Sequence, residues 1–582
     1  MELATVNPIP RDSRYFEEQV ACRMACPVNT DARGYIIAIA QGRFEDAYRI
    51  AREPNPLSWI CAWVCAAPCE DACRRGRIDK PLAIRALKRF ACMRHGKNHD
   101  ASPPTETRRE EKVAVIGSGA AGLACAHDLA RFGYSVTVFD ALPVSGGLCH
   151  TNILNYRLPR EVIAREVEFI RSLGVEFVAG KAIGKDLPFE DLWKAGFKAV
   201  FLGVGGYEPI RMGISGEELP GVWPGEQVLE QLSFAGPVEL GKRTIVVGGG
   251  NTAMDCARAS IRKGAEVVLL YRRTRAEMPA KDHEIAEAEE EGVRFEYLVS
   301  PLEAVGEAGR LTGLKCVRNR LGEPDDSGRR RPVPIPDSEF LIPADSLLTA
   351  LGRSVKIPWL PKEIKTGRGG GIVVDSQTGE TTLPGVFAGG DAARGPATII
   401  EAVRDGRTAA RGIHHKLNNG PLCQEKECSL TVVPGHKMLP GYDSIRRHPI
   451  PAIPEDRRKS WNEVEMGFTP EIAVEEARRC LLCHLNIILA PERCILCGGC
   501  VDVCPSDCFA IVPLDRVNLP SRGEKYPIGP KEVKSETGRL ERVEGATMLF
   551  DGDKCIRCAL CVERCPTKAL SVQSFQIKGV ME

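Results

Sequence analysis

The sequence predicts a multidomain α/β chain. It should have a helical, cysteine-rich N-terminal domain, two Rossmann-like dinucleotide-binding domains with one nested in the other, and a C-terminal α+β domain of the bacterial two-cluster ferredoxin type. Three observations predict this. From Lys112 to about Asn418, short β-branched runs alternate with glycine-rich turns and helical stretches, the pattern of a parallel sheet covered by helices. Two strand–glycine–helix units occur inside that stretch. Near the end, CILCGGCVDVCP (Cys494 to Pro505) recurs as CIRCALCVERCP (Cys555 to Pro566).

The bulk properties set limits. A chain of 582 residues accommodates about four domains. With 78 Lys and Arg against 77 Asp and Glu, the net charge of +1 gives no reason to expect nucleic-acid or membrane attraction. No apolar run approaches the ~18 residues of a membrane span, and the N-terminus has no basic segment followed by an apolar one. The 24 cysteines are clustered in C-x2-C spacings rather than spread as a disulfide framework, which points to metal in a reducing compartment. The expectation is a cytoplasmic protein with no membrane insertion and no nucleic-acid partner.

Residues 1–105 read as helical. GYIIAIAQGRFEDAYRIARE has apolar residues at helical spacing and is ended by Pro54 and Pro56. Cys22 and Cys26 precede it, and Cys61, Cys65, Cys69 and Cys73 follow at intervals of four, which would line one helix face. Pro68 predicts a bend within that face. The polar stretch Asn98 to Glu111, with Pro103 and Pro104, reads as a linker.

The first dinucleotide unit, expected over 112–240, is KVAVIGSGAAGLACAHDLARFGYSVTVFD. Strand, Gly117-x-Gly119-x-x-Gly122, helix and a terminal Asp140 stand in register. Glycines let the backbone approach a pyrophosphate, the helix N-terminus receives its charge, and the acid meets a ribose hydroxyl. The second unit, expected over 241–350, has Gly248-x-Gly250-x-x-Ala253 and ends its second strand in Arg272-Arg273 instead of an acid. Two guanidiniums where a carboxylate would bind a 2'-hydroxyl predict NADP(H) over NAD(H), unless they are solvated loop cations. The third signature, LPGVFAGGDAARGPATIIEAV, lies in the expected second part of the first domain, 351–418. It carries Gly390 and Asp391 ahead of a helix beginning near Thr398, which suits a flavin.

A Pro-rich connector over 419–485 reads as chain running over a surface, and the Arg329–Arg331 and Arg457–Lys459 runs read as solvated loops. In the module at 486–582, three thiolates on a tight loop face three corners of a cubane, and the fourth, redirected by proline, ligates the other cluster. Cys494, Cys497, Cys500 and Cys565 would hold one 4Fe-4S cluster, and Cys555, Cys558, Cys561 and Cys504 the second. Structural zinc is the competing reading of such pairs. The insert from Asp507 to about Phe550 reads as irregular.

The segments CRMACP, CAWVC to EDAC, GSGAAGLACA, YRLPREV, GGGNTAMD, YRRTRAEMP and AGGDAARGPATIIEAV resemble the small (beta) subunit of NADPH-dependent glutamate synthase and the matching N-terminal region of dihydropyrimidine dehydrogenase. The resemblance implies FAD and NADP(H) in the α/β body beside two N-terminal 4Fe-4S clusters. It adds Ala121, Gly147, Arg157, Asn251, Thr252 and Ala397 to the candidate cofactor contacts. Two departures accompany it. The RCxxC pair expected just before Cys22 is missing, and ARRCLLC places such a pair at Cys480 and Cys483. The expectation is that the C-terminal segment folds back so that these two join Cys22 and Cys73 around one cluster. For the other cluster, Cys26, Cys65 and Cys69 match the family's ligands, but Lys88 stands where relatives have Gln or Glu. An ammonium is a poor iron ligand, so Cys92, Cys61 or nothing replaces it.

Cys125, Cys149, Cys256, Cys316, Cys423, Cys428 and Cys508 fit no strong pattern and read as buried or incidental thiols. No Ser/His/Asp or metal-hydrolase constellation is present, and no catalytic side chain is expected because the cofactors carry the chemistry. The expected function is an electron-transfer subunit passing electrons between NADP(H), FAD and 4Fe-4S clusters, to or from a partner redox subunit or ferredoxin. A self-sufficient NADPH:ferredoxin oxidoreductase, a glutamate synthase small subunit and a non-catalytic redox sensor or scaffold are the alternatives.

Overall fold

The computed structural model describes residues 4–5, 13–96, 108–325, 328–419, 426–436, 441–442, 444–513, 517–518 and 545–579. The core of the expected linker, Cys423 and most of the insert lie outside the described residues.

In the N-terminal region, the apolar run forms two helices, Ala32–Ala40 and Phe44–Arg52, rather than one. Gly42, at φ +74°, makes the turn between them. Asp31 caps the first helix by accepting from the Gly34 N–H at 3.0 Å. Their apolar faces (Tyr35, Ile36, Ile39, Ala47 and Ala51) close on the Ile84–His95 helix through Leu87 and Phe90. The four-cysteine segment bends where its proline predicts. The Ser58–Val64 helix stops at an extended Cys65, Ala67 is left-handed, and Pro68 opens a short turn of helix, Pro68–Asp71.

Two five-stranded parallel sheets form the body. The first runs in the order Val386–Ala388, Phe197–Leu202, Lys112–Ile116, Ser135–Phe139, Glu176–Val178. The second runs Arg294–Tyr297, Glu266–Tyr271, Arg243–Val247, Ser346–Thr349, Val222–Pro224. It thus recruits Val222–Pro224 from upstream of the expected start at 241. An antiparallel sheet, Val299–Glu307, Arg310–Pro324 and Arg330–Pro343, extends from this unit. Arg330 therefore begins a strand and pairs with Glu277, instead of lying in a free loop.

The 20-residue helix Ile399–Asn418 packs along Ala120–Arg131. Gly406 permits the approach, since a Cβ there would lie 2.1 Å from the Ala121 carbonyl oxygen.

Beyond Asn418 the chain does more than cross a surface. Lys426–Val432 pairs with Leu570–Gly579, which also pairs with Leu485–Leu489, so the connector supplies an edge of the C-terminal sheet. The ends of the insert, Phe509–Pro513 and Ala546–Phe550, form an antiparallel pair.

A buried ion network fixes the return to the N-terminal region. Fully buried Arg479 donates to Glu476 at 2.6 Å, to Asp79 at 2.9 Å and to the carbonyls of Lys80 and Ile445. Arg75, equally buried, bridges Asp79 to the Tyr442, Ile445 and Arg479 carbonyls. Glu476 also accepts from the Ala83 and His448 N–H groups. Among the described residues no helix is long and apolar enough to cross a membrane.

Candidate functional site

A cavity of about 530 Å³ lies between the two parallel sheets, at the carboxyl ends of their strands. Gly117, Gly119, Ala121, Asp140 and Gly147 line it from the first fingerprint, Asn251 and Thr252 from the second, and Gly390, Asp391, Ala397 and Thr398 from the third. The glycines have separate roles. A Cβ on Gly117 would lie 2.3 Å from the Gly203 carbonyl oxygen, and one on Gly122 only 1.9 Å from that of Gly117, so both are packing glycines. Gly119 instead faces open space, its nearest neighbour being the Gly147 Cα at 4.0 Å, which leaves room for a phosphate against the backbone. Thr398 and Glu401 form a capping box at the start of the long helix, whose first turn points at the cavity. Asp391 accepts from the Ala397 N–H at 3.2 Å, and burial pushes its carboxyl up against the opposing pull of Arg353. A glycine-walled channel ending at a helix N-terminus fits a dinucleotide.

Asp140 also lines the cavity, where it braces the glycine loop by accepting from Ser118 N–H at 2.6 Å and Leu142 N–H at 2.9 Å. Arg157 is held rather than free. It lines the cavity but is locked in ion pairs to Asp255, at 2.5 Å, and Glu284, and so ties the first unit to the second. Sequence reasoning missed Asp255 and Arg353 as cavity residues, Asp255 because it follows the fingerprint positions of GGGNTAMD and Arg353 because it lies outside all three signatures. The Arg272-Arg273 pair also divides. Arg273 is buried and donates to Asp325 at 2.5 Å and to the Arg330 carbonyl at 2.6 Å, whereas Arg272 is exposed. The expected 2'-phosphate contact therefore narrows to Arg272. Gly248 packs against Ala350, Gly250 borders open space, and Ala253 is buried.

Two thiol-lined cavities occupy the N-terminal region. One is walled by Cys26, Cys61, Cys65, Cys69, Lys88 and Ile400. It adjoins the dinucleotide cavity directly: Val64 and Ala66 line the latter on either side of Cys65, as does Ile399 beside Ile400. The Cys61 thiol next to Cys65 holds it down at about 6, aided by Lys88. Cys92 does not line this cavity.

The second cavity is walled by Cys22, Cys73, Cys480 and Cys483, drawn together from opposite ends of the chain, and it shares Ile84 with the first. Burial pushes the Cys22 thiol up, as do Cys483, Cys480 and Cys73 beside it.

A third cavity contains Cys504, Cys555, Cys558 and Cys561 and also Cys508, which is buried, as expected, and lines this cavity. Cys508 lies against Cys555, which it holds down at about 5. The signal for it was present: Cys508 follows the motif proline by three residues. Between this cavity and the second lies a pair of guanidiniums. Arg557, 1% exposed, donates to Gln19 at 2.6 Å and to the Cys555 carbonyl at 3.0 Å, and its Nε has no partner. Arg74 shares Gln19 at 3.5 Å and reaches only an exposed carboxylate, Asp553. Among the described residues Arg557 and Lys88 have no carboxylate partner. Buried cations so placed require negative charge from another source, which thiolate-bound clusters would provide.

Cys494, Cys497 and Cys500 form the outermost group. Their helix Gly499–Asp502 packs on Leu560–Arg564, which leads into Cys565; Cys497 is exposed and Ile495 is 63% exposed. Among the described residues no group of three or more His, Cys, Asp or Glu side chains is placed to hold a metal ion as the side chains stand.

These geometries agree with comparison to known proteins. The pyridine nucleotide-disulphide oxidoreductase model matches residues 111–406, the dihydropyrimidine dehydrogenase domain II 4Fe-4S model residues 16–99, and the 4Fe-4S dicluster model residues 486–566. The chain belongs to the pyridine nucleotide-disulphide oxidoreductase family. Among its relatives, the NADP(+)-dependent formate dehydrogenase subunit beta of Moorella thermoacetica is 41% identical over 80% of this chain and 70% of its own. The NADPH-Fe(3+) oxidoreductase subunit beta of Geobacter sulfurreducens is 38% identical over 81% of this chain and 76% of its own. The small chain of Escherichia coli glutamate synthase [NADPH] is 36% identical over 67% and 87% respectively, which bears out the resemblance seen in the sequence. This member of the oxidoreductase family is an electron-transfer protein of the NAD(P)H, FAD and 4Fe-4S type.

Proposed function

We propose that the chain is the NADP(H)-handling subunit of a cytoplasmic heteromeric redox enzyme, carrying electrons between NADP(H), one FAD and four 4Fe-4S clusters, with the C-terminal module as its contact to a partner subunit. One observation carries this reading: the dinucleotide cavity and the thiol-lined cavities follow one another, the first pair through chain neighbours (Val64 and Ala66 flanking Cys65, Ile399 beside Ile400), the second pair through the shared Ile84, and the third across Arg74 and Arg557, which both reach Gln19, with the helix beside the exposed Cys497 packed on the far side. FAD would supply the conversion between a two-electron hydride and single electrons, and the clusters single-electron storage.

The side chains bind and insulate. Gly119 and the Thr398 helix end receive the flavin diphosphate, Asp391 the ribityl chain, and Arg272 the NADP(H) 2'-phosphate. Arg157, through Asp255 and Glu284, keeps the two nucleotide units in register. Cys22, Cys73, Cys480 and Cys483 form one cluster site, the swapped motif cysteines two more, and Cys26, Cys65 and Cys69 part of the fourth. The formate dehydrogenase and NADPH-Fe(3+) oxidoreductase relatives are each a subunit beta, which supports a heteromeric setting.

The test is anaerobic purification followed by iron, sulfide and FAD analysis and stoichiometric NADPH titration. About sixteen irons and one FAD per chain, with cluster absorbance bleached by NADPH, is expected; about eight irons, or clusters that NADPH leaves oxidised, would overturn the reading. R272A should raise KM for NADPH roughly tenfold and leave NADH use unchanged. The exposure of Cys497 and Ile495 also suits a soluble ferredoxin as partner. Ferredoxin reduction by the isolated chain at the rate seen with viologen dyes would favour that second reading.

A further inference from the structure

The Cys26–Cys65–Cys69 cavity has more ligands than its motif explains. Three thiolates leave one iron of a cubane without a protein ligand, and the position that relatives fill with an amide or carboxylate is Lys88 here. A protonated Lys has donors only and no lone pair for iron. Two buried cysteines are near enough in sequence to replace it, Cys61 and Cys92, both at most 1% exposed.

The structure separates them. Cys61 stands on the Ser58–Val64 helix one turn before Cys65, and its side chain lines the cavity with Cys26, Cys65, Cys69 and Lys88. Cys92 stands one turn after Lys88 on the Ile84–His95 helix; it feels the Lys88 charge, but its thiol faces the Ser58 hydroxyl and the Arg52–Glu166 ion pair and does not line the cavity. We infer that Cys61 is the fourth ligand of the flavin-proximal cluster, which makes that cluster all-thiolate with the Lys88 ammonium as its counter-charge. This rests on the reading of the N-terminal cavities as cluster sites.

Lys88 supplies the independent observation. It is 8% exposed and is directed into the cavity, where its charged neighbours are Cys61, Cys26, Cys65 and Cys69. Its Nζ lies 6.0 Å from the Tyr35 ring centroid. No carboxylate pairs with it among the described residues. A buried ammonium in this position is stable only against negative charge in the cavity, and a cluster held by four thiolates carries more of it than one held by three. As a thiol Cys61 donates to the Asn55 Oδ1 at 4.0 Å, a contact that ligation would replace.

The experiment uses the full chain, purified anaerobically as wild type, C61S and C92S, with iron count, FAD content and EPR of the dithionite-reduced clusters. Wild type and C92S are expected to hold about sixteen irons, and C61S about twelve to fifteen, with one cluster signal lost or converted to a three-iron form. C61S with wild-type iron and unchanged EPR overturns the assignment, as does a loss of iron confined to C92S. If wild type itself holds about eight irons, the N-terminal cavities are not cluster sites and the broader reading fails first. Should C61S not fold, as judged by loss of FAD, Mössbauer spectra of the 57Fe-loaded wild type decide. Uniform thiolate-ligated iron is expected, and a distinct subsite with a non-sulfur ligand would sink the inference.

Discussion

The thiol-lined cavities at the two ends of the chain are built on opposite principles. In the C-terminal module each motif loop supplies three cysteines within seven residues, and Cys504 of the first run stands in the cavity of the second, so these groups depend on local chain geometry and one short helix contact. In the N-terminal region the second cavity has no such loop. Cys22 comes from one turn, Cys73 from the end of another and Cys480 and Cys483 from a segment four hundred residues on, so the site depends on long-range packing. The charge follows the same division. Lys88, Arg74 and Arg557 are buried within or beside the N-terminal cavities and the one next to them, while the outermost group reaches the surface at Cys497. Local motifs can form a site at the surface; an interior site needs the whole fold.

That contrast can be broken most decisively by C480S/C483S. The iron count should drop by about four per chain, and NADPH should no longer reduce the clusters of the C-terminal module although dithionite still does. A wild-type iron count would mean the long-range site is not one. The staple itself is the next target. R479A leaves Glu476 and Asp79 with an incomplete set of buried partners and should cost about 3 kcal/mol, read as a lower urea midpoint, with iron lost from the N-terminal set before the C-terminal set. A smaller effect is expected from R557Q. Removing a buried positive charge between two clusters makes each harder to reduce, so EPR-monitored redox titration should show two potentials lower by on the order of 50 mV, with iron content unchanged. The smallest effect belongs to C508A, since the third cavity already has four motif cysteines. Full iron with a slight potential change is expected, and loss of a cluster would show that Cys508 is a ligand.

How legible each part was in the sequence follows from the same division. Gly117, Gly119, Gly122 and the Cys494 and Cys555 runs are readable because their function lies in spacing along a few residues of chain. The pairing of Cys480 with Cys22 was readable only because a missing RCxxC pair reappeared elsewhere. Nothing in the spacing indicated that Arg157 would be bound by Asp255 and Glu284, or that Arg273 would be taken by Asp325 on a hairpin fifty residues away, because ion-pair partners are chosen by tertiary packing. The helix break at Gly42 shows the same limit in reverse. Apolar spacing continued through it, and one left-handed glycine outweighed that periodicity.

The cavity shared by Cys22, Cys73, Cys480 and Cys483 has a consequence for how the protein is made. A ribosome adding about 5–20 residues per second emits Cys73 roughly 20 to 80 s before Cys480. Throughout that interval the nascent N-terminal region has only half of the site and no means of retaining a cluster there. A cluster proposed for that position could therefore be held only once Cys483 has been made, with about a hundred residues of the chain still to follow. A chain interrupted before Cys480 would lack half of the thiols of this cavity.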